Sequence, residues 1–364
     1  LDEYTIQERE QGTASLNTKN TTPIVNKEQH EPVTIKQLRQ LANQHLATRD
    51  WSKAAEAFLE ILMNDPQDSE ALLGLAAVMD GLNRFEHLYE TAQTILDIEP
   101  NSAAGLAYKA RALQKLDRIS EATIANDQAL LLNTNLGLSW VNRSGLQLLQ
   151  GKFPEALRSA QRAIELAPID ARAWANYGVA LLNFNRLAES LEAFDKSLEV
   201  DPQQLFALQM KGEILCRIGR MREVIPLVRD ALALSPQDVK TLTLGIQAFR
   251  TLEMYEELKA LSHQLVLVMP DNVLAWENYM RSLRGLGQFK EANEALDHLI
   301  ALDGSNVRFL TMKADTLYRL ERYREAVSVA ERAKRLGPDY NPARRIHEKS
   351  LRLMYQRKVK KDKN

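Results

Sequence analysis

Proline recurs in this chain on a fixed beat. Pro66, Pro100, Pro168, Pro202, Pro236, Pro270 and Pro338 all fall on one lattice with a step of 34 residues. The two lattice points without proline, Thr134 and Gly304, carry turn-compatible residues. A period of this length, held without insertion or deletion, marks a stack of like supersecondary units. Nine units follow, beginning at residues 35, 69, 103, 137, 171, 205, 239, 273 and 307. Without that lattice, 364 residues would suggest two or three ordinary domains.

Other columns keep the same register. The fourth position is large and apolar in all nine units: Leu38, Leu72, Leu106, Trp140, Trp174, Leu208, Leu242, Trp276 and Leu310. The seventeenth is apolar throughout, from Trp51 and Phe85 to Phe289 and Tyr323. The eighth is small in seven units, as at Ala42, Ala76, Gly178 and Ala314, which lets two helices approach closely. Within a unit, Trp174, Tyr177, Gly178 and Leu181 stand at i, i+3, i+4 and i+7, one face of a helix. Asn185-Arg186 make a turn, and a second helix runs from Ala188 to Val200. Asp201-Pro202 ends it, because proline biases the residue before it away from the α region.

These residues resemble the tetratricopeptide repeat. The fifth unit carries the pattern well, with Trp174, Tyr177-Gly178, Phe194 and Pro202 at family positions. The resemblance covers residues 35 to 340. It implies an all-α fold: a right-handed α-solenoid superhelix of antiparallel helix pairs, the first helix of each pair lining a concave groove. Residues 33–340 are then one solenoid, in which each pair packs only on its neighbours and the ends need caps. Residues 341 to 359 read as the C-terminal capping helix, with Ile346, Leu351, Leu353 and Met354 on its apolar side. The segment 1–32 has no apolar periodicity and reads as a disordered stretch or tether.

Charge and composition narrow the function. Net charge is -1, from 47 basic and 48 acidic residues, which argues against a nucleic-acid binder. The charge is polarised: segment 1–32 carries -3, segment 341–364 carries +7, and the array between them carries -5. The basic tail Arg357, Lys358, Lys360, Lys361 and Lys363 is a candidate for contact with an anionic membrane surface. Self-association through the groove or the end repeats is open. The single Cys216 rules out an intramolecular disulfide framework and multi-cysteine metal sites. No two of the six histidines stand at metal-ligand spacing, and no phosphate-binding glycine loop or nucleophile elbow occurs. No enzyme, cofactor or metal is expected. The expected location is the cytoplasm, with an anchor or signal upstream of Leu1 as the alternative.

The groove implied by the resemblance is lined by positions two, five, nine and twelve of each unit. In the middle units these include Leu138, Val141, Leu148, Arg172, Val179, Leu182 and Phe206, a largely apolar strip. Such a strip suits the apolar face of a partner helix or an extended peptide. The competing reading is that curvature buries part of it. Asn142 and Asn176 stand at position six, where the family uses asparagine to hold a peptide backbone in some glycosyltransferases. Farther on, Arg250, Arg281, Arg284 and Arg308 form a basic patch suited to carboxylates or phosphates. The carboxylate clamp of chaperone-binding relatives is matched by Arg39 and Asn43 but not by Gly74, Ala104 and Tyr108. The reading is therefore a scaffold or adaptor that binds a segment of a partner protein. The alternatives are a regulatory region of a larger enzyme and a membrane-tethered assembly factor.

Some units depart from the pattern. Ile246, Leu258 and Leu265 in the seventh, and Met280 and Leu299 in the eighth, are bulky where small residues are usual. Either curvature changes locally over residues 240 to 300, or the core packing compensates. Pro226 sits one turn into a second helix, and Pro154 occupies the first turn of another, where proline is favoured.

Overall fold

The computed structural model describes residues 34–361, with side chains through residue 356. The N-terminal segment 1–32 and the side chains of the basic tail from Arg357 to Lys363 lie outside the described residues. Among the described residues there are helices and turns and no strands.

The helices alternate between two lengths. The first helix of each pair has 13 residues: α1 (Ile35–Ala47), α3 (Ser69–Gly81), α5 (Ala103–Lys115), α7 (Gly137–Leu149), α9 (Ala171–Asn183), α11 (Leu205–Arg217), α13 (Val239–Thr251), α15 (Val273–Gly285) and α17 (Val307–Arg319). We call these the A helices. The second has 14: α2 (Trp51–Asn64), α4 (Phe85–Ile98), α6 (Ile119–Leu132), α8 (Phe153–Leu166), α10 (Leu187–Val200), α12 (Met221–Leu234), α14 (Tyr255–Val268), α16 (Phe289–Leu302) and α18 (Tyr323–Leu336). Every A helix begins at the unit start read from the proline lattice. The capping helix α19 (Asn341–Lys361) packs on α17 and α18, with Ala343, Ile346 and Ser350 buried. The fold is an all-α solenoid of helix-pair repeats.

Local chemistry explains the uniform boundaries. The residue before an A helix is a capping residue in most repeats. The side chains of Thr34, Ser102, Asp170, Asp238, Asn272 and Asn306 each accept a hydrogen bond from an N–H of the first turn, leaving fewer orphan donors. Between the two helices of a pair, position fifteen is left-handed in all nine repeats. It is glycine at Gly151, Gly219 and Gly287, but Arg49, Asn83, Asp117, Asn185, Glu253 and Glu321 elsewhere, with φ from 55° to 60°. A non-glycine residue pays about 1–2 kcal/mol to stand there. Each tryptophan at position four donates its indole N–H to the carbonyl at the start of the preceding turn: Trp140 to Thr134, Trp174 to Pro168 and Trp276 to Pro270, at 2.7–3.0 Å.

Contacts divide the chain into residues 1–75 and 76–364, with the boundary inside α3. In the first unit, Leu38, Ala42, Ala54, Phe58 and Ile61 form the core. Gly74 lies so close to the Phe58 ring that an added Cβ would stand 2.2 Å from it. In the second unit, core clusters follow one another along the repeats. The bulky residues of the seventh and eighth repeats are absorbed: Ile246, Leu258, Leu265, Met280 and Leu299 are all buried. The small residue has moved instead of disappearing. Gly245, one place before Ile246, is where a Cβ would meet Leu261 at 2.4 Å. The bulk is taken up in the core clusters of these repeats. Helix α12 runs through Pro226 without a break, and Pro154 sits in the first turn of α8.

Candidate partner-binding face

Positions two, five, nine and twelve of the A helices meet three different fates. Toward the start of the second unit, they are tied together by charge. Asp80 at the end of α3 accepts from Arg111 Nε of α5 at 2.9 Å and from Arg172 Nη1 of α9 at 2.6 Å. Arg172 also grips Asp170 with two parallel bonds, Nε to Oδ1 at 2.9 Å and Nη2 to Oδ2 at 2.7 Å. This paired geometry is the strong form of an arginine–carboxylate contact. Asp80 and Arg111 are only 11% and 14% exposed at the side chain. Burial opposes ionisation of Asp80, but the guanidiniums of Arg172 and Arg111 outweigh it and hold its carboxyl below the usual range. Burial and the Asp80 charge push the neighbouring Tyr108 hydroxyl up to about 12. Residues on repeats two, three and five thus form one ionic strap.

The strap corrects one sequence expectation. Arg172 is not offered to a partner; both edges of its guanidinium are already engaged. In the first unit Arg39 is likewise occupied, by Asp68 at 2.6 Å and by Glu70.

The apolar strip of repeats four to six is corrected in part. Val141 is 3% exposed and packs with Ala163 and Ala173 against the next repeat. Leu138 is half-buried against Leu106 and Ala107 of the preceding repeat. Val179 and Leu182 are half-buried on a cluster that includes Ala207, Met210 and Ile214. Leu148 is half-buried, and Phe206, at 46% exposure, is the open apolar member. Neighbouring A helices approach closely enough that position five faces the next repeat as much as solvent.

The asparagines are corrected too. Asn142 is buried, and its amide donates to the Ala107 carbonyl at 2.8 Å. Asn176 donates to the Val141 carbonyl at 3.1 Å and to Ser144 Oγ at 2.9 Å. Both reach back to the A helix of the previous repeat, so they clip neighbours together rather than hold a peptide. Asn278 donates within its own helix, to the Leu274 carbonyl at 2.8 Å.

Repeats seven to nine differ. Here the structure brings all four arginines of the basic patch to one pocket, lined by Arg250, Arg281, Arg284 and Arg308 with Glu277, Asn278, Met280 and Met312. Arg284 is paired with Asp315, which Arg319 also reaches at 3.2 Å. Burial, reinforced by Arg319, pushes the Arg284 guanidinium below its ordinary value. Arg308 meets Glu277 at 3.4 Å. Arg250 and Arg281 are exposed. Their side chains make no hydrogen bond or ion pair among the described residues. Periodicity could find this patch because it needs only the face of each A helix. It could not find the strap, whose partners Asp80 and Arg172 stand 92 residues apart.

Cys216 is buried among Leu208, Leu215 and Val224, and burial pushes its thiol up, away from a nucleophilic thiolate. Among the described residues, no group of three or more His, Cys, Asp or Glu side chains is placed to hold a metal ion. No helix among them is long and apolar enough to cross a membrane.

Stacked two-helix units of fixed length, a left-handed turn at one position and a capped end define a helical-repeat solenoid. The model of the tetratricopeptide repeat family matches residues 39–86, 146–204 and 281–341. Those stretches carry tetratricopeptide repeats, and the nine in-register helix pairs of the described residues are built on the same plan. No curated protein sequence matches the chain. Among solved structures it is similar to a chain of the APC/C hetero-tetramer Cut9–Hcn1, with 13% identity and a TM-score of 0.51 over 87% of this chain. It spans 62% of the length of that chain. It is also similar to PilF of Pseudomonas aeruginosa, with 20% identity and a TM-score of 0.49 over 60% of this chain and 98% of that one. Solenoids of this family generally serve as protein-interaction scaffolds.

Proposed function

We propose that this protein is a non-enzymatic scaffold that holds a segment of a partner protein against its A helices, with repeats six to nine as the docking stretch. The observation that carries the reading is the division of labour along that face. From repeat two to repeat five several of its polar side chains, Asp80, Arg111, Asn142, Arg172 and Asn176, are spent on the strap and the asparagine clips. From repeat six onward, large side chains stand open and hold no neighbouring repeat in place. These are Phe206 and Leu274 at position two, then Arg250 and Arg281. Exposed side chains of this size on a rigid helical wall are what a docking segment uses as anchors.

The test is affinity capture from native lysate with mass spectrometry. Phe206→Asp combined with Leu274→Asp should lose the proteins captured by the wild type. Leu131→Asp combined with Ile169→Asp alters apolar residues of equal or greater exposure that do not lie on the A helices, and should keep them. An unchanged protein set from the first variant refutes the docking stretch.

A further inference from the structure

We infer that the segment held at repeats seven to nine is acidic, a peptide that presents carboxylates to Arg250, Arg281 and Arg308 across three successive A helices. This rests on the scaffold reading and gives the partner its chemistry.

Charge counting leads to it first. Five guanidiniums, from Arg250, Arg281, Arg284, Arg308 and Arg319, share two carboxylates, Glu277 and Asp315. The array as a whole carries excess negative charge, so this concentration of positive charge is local and runs against the chain's own balance. A solvated helix face would spread such charges or pair them, as this protein does elsewhere: Arg118 with Glu121 and Arg322 with Glu325 pair i,i+3 at the starts of α6 and α18. Here, among the described residues, no carboxylate comes to Arg250 or Arg281. An anion seated between them would supply the missing partner.

The surroundings favour a carboxylate on a peptide. Met280 and Met312 line the pocket with apolar, polarisable surface, so an ion pair formed there is partly shielded from water. The guanidinium fork matches a carboxylate with two parallel bonds. Arg250, Arg281 and Arg308 stand on α13, α15 and α17 at positions twelve, nine and two, a line that runs obliquely across the three helices into one pocket. A polyproline-like or extended peptide advances about 3 Å per residue. Acidic residues at every third position share one face in the polyproline conformation, so several carboxylates can be offered together to the arginines that line the pocket.

The probe is a terminally blocked nine-residue peptide with Glu at every third position, compared with the same peptide carrying Gln. Binding is followed by fluorescence anisotropy at about 50 and 150 mM salt, where screening of exposed charges differs. The Glu peptide should bind at least about tenfold tighter than the Gln peptide at low salt, and should weaken at higher salt. Arg250→Gln combined with Arg281→Gln should erase that preference; both side chains are exposed, so the fold should tolerate the change. Arg222→Gln combined with Arg229→Gln, exposed on α12, should leave it intact. Equal binding of the two peptides, or an equal loss from the α12 variant, overturns the inference. Binding to phosphatidylserine vesicles that the Arg250/Arg281 variant abolishes, with no binding of the Glu peptide, overturns it in favour of a lipid surface. If the Glu peptide fails while the Phe206/Leu274 variant still loses its captured proteins, the scaffold reading stands without the acidic specificity.

Discussion

Replacing Asp80 with Asn keeps the size of the side chain and removes the charge that joins repeats two, three and five. In the wild type the carboxylate accepts from Arg111 at 2.9 Å and Arg172 at 2.6 Å, with its own side chain 11% exposed. Arg172 keeps Asp170 after the change, whereas Arg111 loses its ion-pair partner. Breaking a buried pair on one side costs about 3–5 kcal/mol, and Asp170 softens the loss at Arg172, so about 3 kcal/mol is expected. In a solenoid that cost falls locally, because apart from the strap each repeat leans mainly on its neighbours. Amide hydrogen exchange should therefore speed up by about a hundredfold in α3, α5 and α9 and remain unchanged in α15 to α17. A triple change to Asp80→Leu, Arg111→Met and Arg172→Met should recover most of the protection, since a well-packed apolar cluster can replace a buried ionic one. The strap also predicts an acid limb. The Asp80 carboxyl is held below its unfolded value, so its contribution is complete above about pH 4 and is lost as pH falls through the lower folded value. Unchanged exchange in Asp80→Asn, or loosening spread evenly over all nine repeats, would show that the strap carries no local stability.

Three further outcomes follow from the packing. Glu253→Gly relieves a left-handed turn residue at φ 55° and should raise stability by about 0.5–1 kcal/mol in thermal or denaturant unfolding. Val141→Asp places a charge at a 3% exposed site and should cost more than about 3 kcal/mol, whereas Phe206→Asp, at 46% exposure, should stay within about 1 kcal/mol of the wild type. Trp276→Phe loses the hydrogen bond to the Pro270 carbonyl and the stack on His298 at 4.3 Å, and should cost about 1–2 kcal/mol, read by the same unfolding assay.

The frame of the molecule was legible because each repeat obeys local rules. Proline after the second helix, small residues at close crossings and a large residue at position four place all nine A helices at the starts read from the lattice. The basic patch was legible for the same reason: Arg250, Arg281, Arg284 and Arg308 need only a helical face to be brought together. Val141, Asn142 and Asn176 were misread because the pattern reports which side of a helix a residue occupies, and not how near the next helix comes. Position five can face solvent or a neighbour, and position six reaches the previous repeat's backbone. Arg172 needed longer reach still. Its bond to Asp80 depends on how three successive packings add up, and no short-range rule contains that sum.

The left-handed residue at position fifteen bears on how such a chain can grow. The same turn is made with glycine, asparagine, aspartate, glutamate and arginine. The bend is therefore imposed by the two helices that close on it, and the residue at its apex only tolerates it. A new repeat made by duplicating a 34-residue stretch needs no new solution for its turn; it inherits one as soon as its helices pack. Duplication would be limited instead by features that count repeats, such as the tie between the second and the fifth, since one extra unit inserted between them would carry Arg172 out of reach of Asp80. Lengthening should thus be tolerated after repeat five and resisted before it.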